Sequence, residues 1–358
     1  MISGDCYTEE YIEEQHQRLG GASPIMIEKS IHALALLGHL ADTDLQFIFK
    51  GGTSLLLHLP NIRRLSIDID IMCTADDEQL NTFVGSISQL SPFIRQEEDE
   101  RGARGLPERR HFKFFYASAI TGREDNVLLD VVQEKDCRLA CVDKPVETEF
   151  IKVEKSVFVR VPSVEALLGD KLTAFAPNTL GVPYFTPRGK SMTMQVVKQL
   201  HDVGELFNEV QDLDAVKKAY AEGYRLESMY REGDFSMQQT LDDTKNIALQ
   251  LCCNGFKYAH RDDNIIANLQ DGATRLRDHL VRGRFRLIQE AKIAAAKAYL
   301  LAAYLEGSVD LTAEQLSFDL NKRLDFIREM DISEPSCLNR LKPIVPEAFY
   351  YLALGMGG

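Results

Sequence analysis

The sequence has no CxxC pair, and none of its seven cysteines is accompanied by histidine at a zinc-ligand spacing. Their odd number, at positions 6, 73, 137, 141, 252, 253 and 337, reads as reduced thiols. Cys137 and Cys141 would share a helical face, yet a zinc site needs two further ligands that the sequence does not place. Also missing is any run approaching the roughly 18 apolar residues of a membrane span. The most apolar stretch, Ile293 to Leu305, is short and rich in alanine. The opening MISGDCYTEEYIEEQ is acidic and lacks the basic and apolar regions of a signal peptide, so a soluble cytoplasmic protein is expected. Positive charge is in deficit as well: 41 Lys and Arg against 54 Asp and Glu leave −13, which excludes a general nucleic-acid coat protein. It leaves room for a local basic patch, or for a nucleotide held through metal ions. No internal repeat, heptad run or low-complexity tail is present beyond the short GMGG end.

What is there is ordinary globular composition, 45% hydrophobic and 27% charged, over 358 residues. At about 150 residues per domain, that length suits two domains. Strand and helix signals mix in the first half, whereas from about residue 163 the apolar period is nearly all helical. The fold class expected is α+β. An acidic segment over 1–24 precedes a small mixed β-sheet flanked by helices over 25–162, and an α-helical domain follows over 163–358. The ligand site is expected in the cleft where the two domains meet.

Residues 24–41 carry apolar side chains at helical spacing. Residues 46–49 form a short buried strand, broken by Gly51-Gly52, after which helical spacing resumes from Thr53 to Leu59 and stops at Pro60. From Ile62 to Met72 the sequence alternates, with Ser66, Asp68, Asp70 and Met72 on one face of a strand and Ile67, Ile69 and Ile71 on the other. A helix over 76–89 and strands over 110–118, 126–133 and 156–161 follow, the middle two forming a hairpin around Gly122 to Asn126. The charged stretch from Arg95 to Glu108 reads as a mobile loop. Helices are expected over 163–176, 190–209, 213–228, 236–253, 264–281, 284–306 and 312–330.

Chemistry concentrates in three places. Asp68 and Asp70, two apart on a strand, share a face and can chelate divalent cations, while their mutual repulsion asks for a cation to neutralise them. Asp130 lies in an apolar strand between Leu129 and Val131, where an unpaired charge is costly. If that strand lies beside the one over 62–72, three carboxylates converge, as two-metal phosphoryl or nucleotidyl transfer requires. Gly51 and Gly52 let the backbone approach a phosphate, and the following helix start offers free N–H groups. Thr53 and Ser54 add hydroxyls, and Lys50, Arg63 and Arg64 add positive charge. Taken singly, a glycine turn, a DxD strand and a strand aspartate are each common in ordinary proteins. Their occurrence in this order, in fitting strand contexts, raises the functional reading.

FKGGTSL followed by RLSIDID resembles the nucleotidyltransferase AbiEii/AbiGii toxin family, within the DNA polymerase beta-like nucleotidyltransferase superfamily. The residues that match are Lys50 to Leu55, Arg64, Leu65, Ser66, Asp68, Ile69 and Asp70. VEALLGDKLTAF at 164–175 is similar to the family's Leu-x-x-Asp/Glu-Lys-Leu-x-Ala helix, with Asp170 and Lys171 on the motif. In KQLHDVGEL at 198–206, Asp202 matches, while Lys198 and His201 stand where arginine or lysine is common and Glu205 where aspartate is common. The resemblance covers roughly residues 25–300.

The resemblance implies a nucleotidyltransferase that uses two Mg²⁺ ions, Mn²⁺ being able to replace them, held by Asp68, Asp70 and Asp130. Lys50, Gly51, Gly52, Thr53, Ser54, Arg64, Ser66, Asp170, Lys171, Lys198 and Asp202 would bind the NTP. Asp130 would help deprotonate the attacking hydroxyl, and Lys171 would offset charge on the leaving pyrophosphate. The acceptor implied is an RNA 3′ end, tRNA included, and the implied partner is a cognate antitoxin, with no membrane. Candidate RNA patches are Arg101, Arg104, Arg109, Arg110 and Lys113, and Arg275, Arg277, Arg282, Arg284, Arg286, Lys292 and Lys297. Two alternatives stay open: transfer to a small molecule or protein hydroxyl, and a non-catalytic module that binds nucleotide or antitoxin. Histidine offers no competing chemistry: His32, His39 and His58 read as packing or surface residues.

Overall fold

The computed structural model describes residues 1–99, 108–134, 139–231, 235–283 and 285–357. The chain divides into two units, Met1–Ser163 with Asp278–Gly283, and Val164–Arg277 with Arg284–Gly358. The first unit begins with helices α1 (Glu9–Arg18) and α2 (Pro24–Ala41). Thr8 caps α1 by accepting from the Tyr11 amide, and Pro24 opens α2, where its missing N–H costs nothing. Then come β1 (Phe47–Lys50), β2 (Asp68–Cys73), α3 (Asp77–Ile87), β3 (Phe93–Glu98), β4 (Glu108–Ala117), β5 (Glu124–Gln133), β6 (Cys141–Pro145) and β7 (Phe158–Pro162). Asp76 and Gln79 close a reciprocal capping box on α3.

The seven strands form one mixed sheet in the order β3-β4-β5-β2-β1-β7-β6. The β2–β5 and β1–β7 pairs are parallel and the others antiparallel. Alternation decides what each face carries. Phe49, Ile69, Ile71, Phe112, Phe114, Tyr116, Val127, Leu129 and Val131 are buried in one core with Ile27, Ile31 and Leu34 of α2. His32 of α2 stacks on Tyr116 at 3.5 Å between ring centroids, so α2 covers that face. The intervening residues, Lys50, Asp68, Asp70 and Asp130 among them, point to the opposite face and are half-buried.

Several expectations are corrected here. Thr53 begins a five-residue 3₁₀ turn, Thr53–Leu57, and not an α-helix, because Gly52 and Pro60 bound a segment too short to repay helix nucleation. The strand expected from Ile62 starts only at Asp68. Residues 63–65 are taken by the returning segment 279–281: the Leu65 amide donates to His279 O at 2.7 Å and the Val281 amide to Arg63 O at 2.8 Å. For the same reason the helix expected over 264–281 stops at Leu276. Residues Phe93–Glu98 are a strand paired with β4 where a loop was expected from Arg95, and 100–107 lie outside the described residues. Cys141 opens a strand, so it has no helical face to share with Cys137, which lies outside the described residues. Cys6, Cys73, Cys252, Cys253 and Cys337 are free thiols.

The second unit contains α4 (Val164–Ala174), α5 (Thr193–Leu206), α6 (Leu213–Arg231), α7 (Met237–Cys253), α8 (Asp263–Leu276), α9 (Glu290–Glu306), α10 (Leu320–Glu329) and α11 (Pro346–Gly355). The helices expected over 284–306 and 312–330 are shorter than expected, starting at Glu290 and Leu320. Alanine lets α9 sit at the centre: Ala291, Ala295, Ala296, Ala298 and Ala302 are wholly buried on several sides of it. Glycine serves the same end on α4, since a Cβ on Gly169 would lie 2.6 Å from the Tyr220 amide of α6. Among the described residues no helix is long and apolar enough to cross a membrane.

Candidate active site

Strand register brings the acids together. In the parallel β2–β5 pair Asp70 stands directly opposite Asp130, and Asp68 opposite Leu128. In the antiparallel β1–β2 pair Lys50 stands opposite Asp70. Directly paired residues project to the same face with neighbouring strands about 4.8 Å apart, so Lys50, Asp70 and Asp130 form a row across three strands. The two acidic strands are therefore adjacent, the condition set for the three carboxylates to converge.

The glycine turn fits closely around this row. Gly51 has φ +79°, and a Cβ there would fall 2.0 Å from Asp70 Oδ2, so the carboxylate occupies the space that only glycine leaves. A Cβ on Gly52 would fall 2.4 Å from a terminal nitrogen of Arg64. The two glycines thus admit one anionic and one cationic side chain against the backbone. Thr53 and Ser54 are wholly buried and their hydroxyls turn inward, Thr53 Oγ1 donating to Asp68 O at 2.5 Å and Ser54 Oγ to Gly51 O at 2.7 Å. Thr53 thus ties the turn to the acidic strand, and Ser54 closes the turn on itself. Arg64 and Ser66 are also buried, and Ser66 O accepts from Ser30 Oγ of α2 at 2.9 Å.

One residue of the site carries no motif signal. His111 on β4 stands opposite Asp130 in the register, and its Nδ1 lies 2.7 Å from Asp130 Oδ1. The strand over 110–118 is legible in the sequence, but only the pairing of strands reveals which of its residues meets Asp130. His32 and His39 behave as packing residues, with Nδ1 of His32 against Glu28 O and Nε2 of His39 against Ser91 O. Burial lowers the His32 pKa to about 4.

In the helical unit, Lys171 and Asp202 meet, Nζ to Oδ2 at 3.9 Å, with His201 Nδ1 3.6 Å from the other carboxylate oxygen. Asp202 is wholly buried and Lys171 nearly so, while Asp170 is exposed and Lys198 half-buried. The motif helices thus yield a buried ion pair.

The basic patches look different once partners are assigned. Lys292 and Lys297 are buried, with Lys292 Nζ on the Cys252 and Asn254 carbonyls and Lys297 Nζ on Asn208 and Glu347. Arg275 pairs with Asp271, Arg282 with Glu149, and Arg286 with Glu290. Arg110 is shared between Glu98 and Asp77, and Lys113 pairs with Asp99. Arg109 is exposed, and Arg101, Arg104 and Arg284 lie outside the described residues. The described part of the second patch is therefore largely neutralised, as the overall acidity of the chain makes natural.

Three carboxylates on adjacent strands are hard oxygen donors of the kind that bind small divalent cations. Among the described residues no three His, Cys, Asp or Glu side chains already close around a single point. The chemistry of these donors suits a divalent cation.

Residues 35–285 match the family described as nucleotidyl transferase AbiEii toxin, type IV toxin–antitoxin system. No curated protein matches the chain. Among solved structures, a Helicobacter pylori protein with a provisional nucleotidyltransferase description is 15% identical, with a TM-score of 0.42, over 82% of this chain and 96% of its own. JHP933 from Helicobacter pylori is 14% identical with a TM-score of 0.42, covering 92% and 100%. An antigenic nucleotidyltransferase-like protein from Paracoccidioides brasiliensis is 13% identical with a TM-score of 0.35, covering 56% and 88%.

Proposed function

The chain belongs to the AbiEii family of nucleotidyltransferase toxins, and from that premise we propose that it transfers NMP from an NTP to the 3′ hydroxyl of an RNA, tRNA foremost. The observation that carries the reading is the register that sets Asp70 opposite Asp130 on parallel strands, with Asp68 on the same face and the Gly51-Gly52 turn against Asp70.

Asp68, Asp70 and Asp130 would hold two Mg²⁺ ions, which when bound neutralise triphosphate charge and polarise the α-phosphorus. Gly51 and Gly52 let the main chain come close to the β- and γ-phosphates, since no side chain intervenes. Lys50, in register beside Asp70, and Arg64, against Gly52, supply fixed positive charge on the same side. The acceptor hydroxyl attacks the α-phosphorus and pyrophosphate leaves. Asp130 takes the hydroxyl proton on Oδ2, the oxygen other than the one His111 engages. Thr53 and Ser66 fix the backbone on which the acids stand. Lys171 and Asp202 are assigned to the nucleotide through the family motif, Lys171 offsetting charge on the departing pyrophosphate, with Asp170 and Lys198 beside them in sequence. A reaction that draws on NTP and RNA would run in the cytoplasm, and membership of a type IV toxin–antitoxin family supports an antitoxin as partner.

The test is incubation of the protein with Mg²⁺, total RNA and each α-labelled NTP in turn, followed by a denaturing gel. Label should enter RNA with one nucleotide preferred, and be absent with Asp68→Ala. NTP binding without labelled RNA would turn the assignment toward a small-molecule or protein hydroxyl. Undiminished labelling by Asp68→Ala would refute the role given to the acids.

A further inference from the structure

The row of polar residues does not end at Asp130. Register continues it across a fourth strand, so that His111, Asp130, Asp70 and Lys50 stand side by side on β4, β5, β2 and β1. All four project from the face opposite α2, because directly paired residues share a face and their neighbours Phe112, Leu129, Ile71 and Phe49 fill the core. His111 approaches Asp130 through Nδ1 at 2.7 Å, a short distance for an N–H···O bond and one typical of a charged acceptor. Its own position is well held: Phe112 beside it is buried, and Arg110 on its other side is tied to Glu98 and Asp77.

We propose that His111 is a positioning residue for the reaction, donating its Nδ1 proton to Asp130 Oδ1 so that one carboxylate oxygen is fixed and the other is presented to the metal ion and acceptor hydroxyl. An aspartate on a strand otherwise rotates about two side-chain bonds, and its carboxylate can swing away from Asp70. A single donor at one oxygen removes that freedom without occupying the other. Partners of this kind, one step removed from a metal, typically alter metal affinity or activity by about 10- to 100-fold when lost. Nothing in the local sequence marks His111 for this task. It is the strand pairing that does so.

The inference rests on the reading that Asp130 binds metal, so the experiment separates the two. Free Mn²⁺ is followed by its EPR signal in titrations of the wild type, Asp130→Ala, His111→Ala, His111→Gln and His111→Asn, with pyrophosphate release measured alongside. His111→Ala should weaken Mn²⁺ binding by about 10-fold and lower kcat while leaving KM for NTP within about twofold. His111→Asn, whose side-chain amide can place an N–H near the Nδ1 position, should bind Mn²⁺ within about threefold of wild type. His111→Gln, bulkier but with its donor one carbon further out, should behave like His111→Ala and guards against mere loss of volume. If Asp130→Ala weakens Mn²⁺ binding while His111→Ala and His111→Gln bind as wild type, the role of His111 is refuted and that of Asp130 stands. If Asp130→Ala itself binds Mn²⁺ as tightly as wild type, the assignment of Asp130 fails and the inference fails with it.

Discussion

The sheet unit and the helical unit both bring charged residues together, but by opposite means. In the sheet unit, Asp70 and Asp130 are placed by backbone pairing and remain half-buried on the face opposite α2. In the helical unit, Lys171 and Asp202 are placed by side-chain packing between α4 and α5 and are buried. Glycine divides along the same line. Gly51 makes room for a carboxylate, whereas Gly169 makes room for another helix. A register holds like charges at a fixed spacing that an added cation can relieve, while helix packing excludes water and demands that opposite charges neutralise each other. The first arrangement suits an added cation, while the second keeps its charges paired with each other.

That contrast can be broken by substitution. The largest effect expected is on activity at Gly51. Gly51→Ala puts a Cβ into the Asp70 carboxylate and imposes a left-handed φ on alanine. Pyrophosphate release per folded molecule should fall by about 100-fold, as displacement of a reacting group by an ångström can do, while the left-handed φ costs about 1–2 kcal/mol of stability. An active Gly51→Ala would show that the turn need not touch the acid.

Next is the buried pair. Lys171→Met leaves Asp202 inside without its cation and should cost roughly 3 kcal/mol in urea denaturation, with Asp202→Asn in the same chain restoring part of it. A cost below about 0.5 kcal/mol, the level of exposed pairs, would contradict the burial argument. Gly169→Ala should destabilise by about 1–3 kcal/mol, since Tyr220 and Ala219 of α6 must move to admit the methyl. Pyrophosphate release per folded molecule should stay near wild type, the reverse of Gly51→Ala.

The smallest effect is a slope. Burial holds the His32 pKa near 4, below its ordinary 6.5. Above pH 6.5 the ring is neutral in both the folded and unfolded chain, so it contributes no pH dependence. As pH falls from 6.5 toward 4 the unfolded chain binds a proton that the folded one refuses, and stability drops by up to about 1.4 kcal/mol per pH unit. His32→Phe keeps a ring against Tyr116 and should flatten that part of the profile. An unchanged slope would mean that His32 is protonated in the folded chain.

Much of the sheet unit was legible because strand alternation is a local signal. Asp68 and Asp70 on one face and the hairpin around Gly122 follow from runs of a few residues, whereas the adjacency of the two acidic strands stood only as a condition until the pairing of β2 with β5 met it. The edge strands β3 and β6 were not legible, since their sequences, FIRQEE and CVDKP, are polar where a half-exposed edge allows it. Nor was the return of residues 278–283 to the first unit, which depends on main-chain bonds between positions over 200 apart. His111 escaped for the same reason. The buried lysines of α9 misled in the other direction: a cation in a sequence suggests surface, but an alanine-rich helix buried on several sides takes Lys292 and Lys297 inside and satisfies them with carbonyls and a carboxylate.

The most direct test of the central claim is pyrophosphate release by wild type, Asp70→Asn and Asp130→Asn, measured with Mg²⁺, NTP and RNA alongside thermal melting of each protein. If the row of acids on β2 and β5 performs the transfer, release should fall by at least about 1000-fold in both variants at unchanged melting temperature, as loss of charge stabilisation at a reacting phosphate requires. Release within a few-fold of wild type by either folded variant would contradict the account.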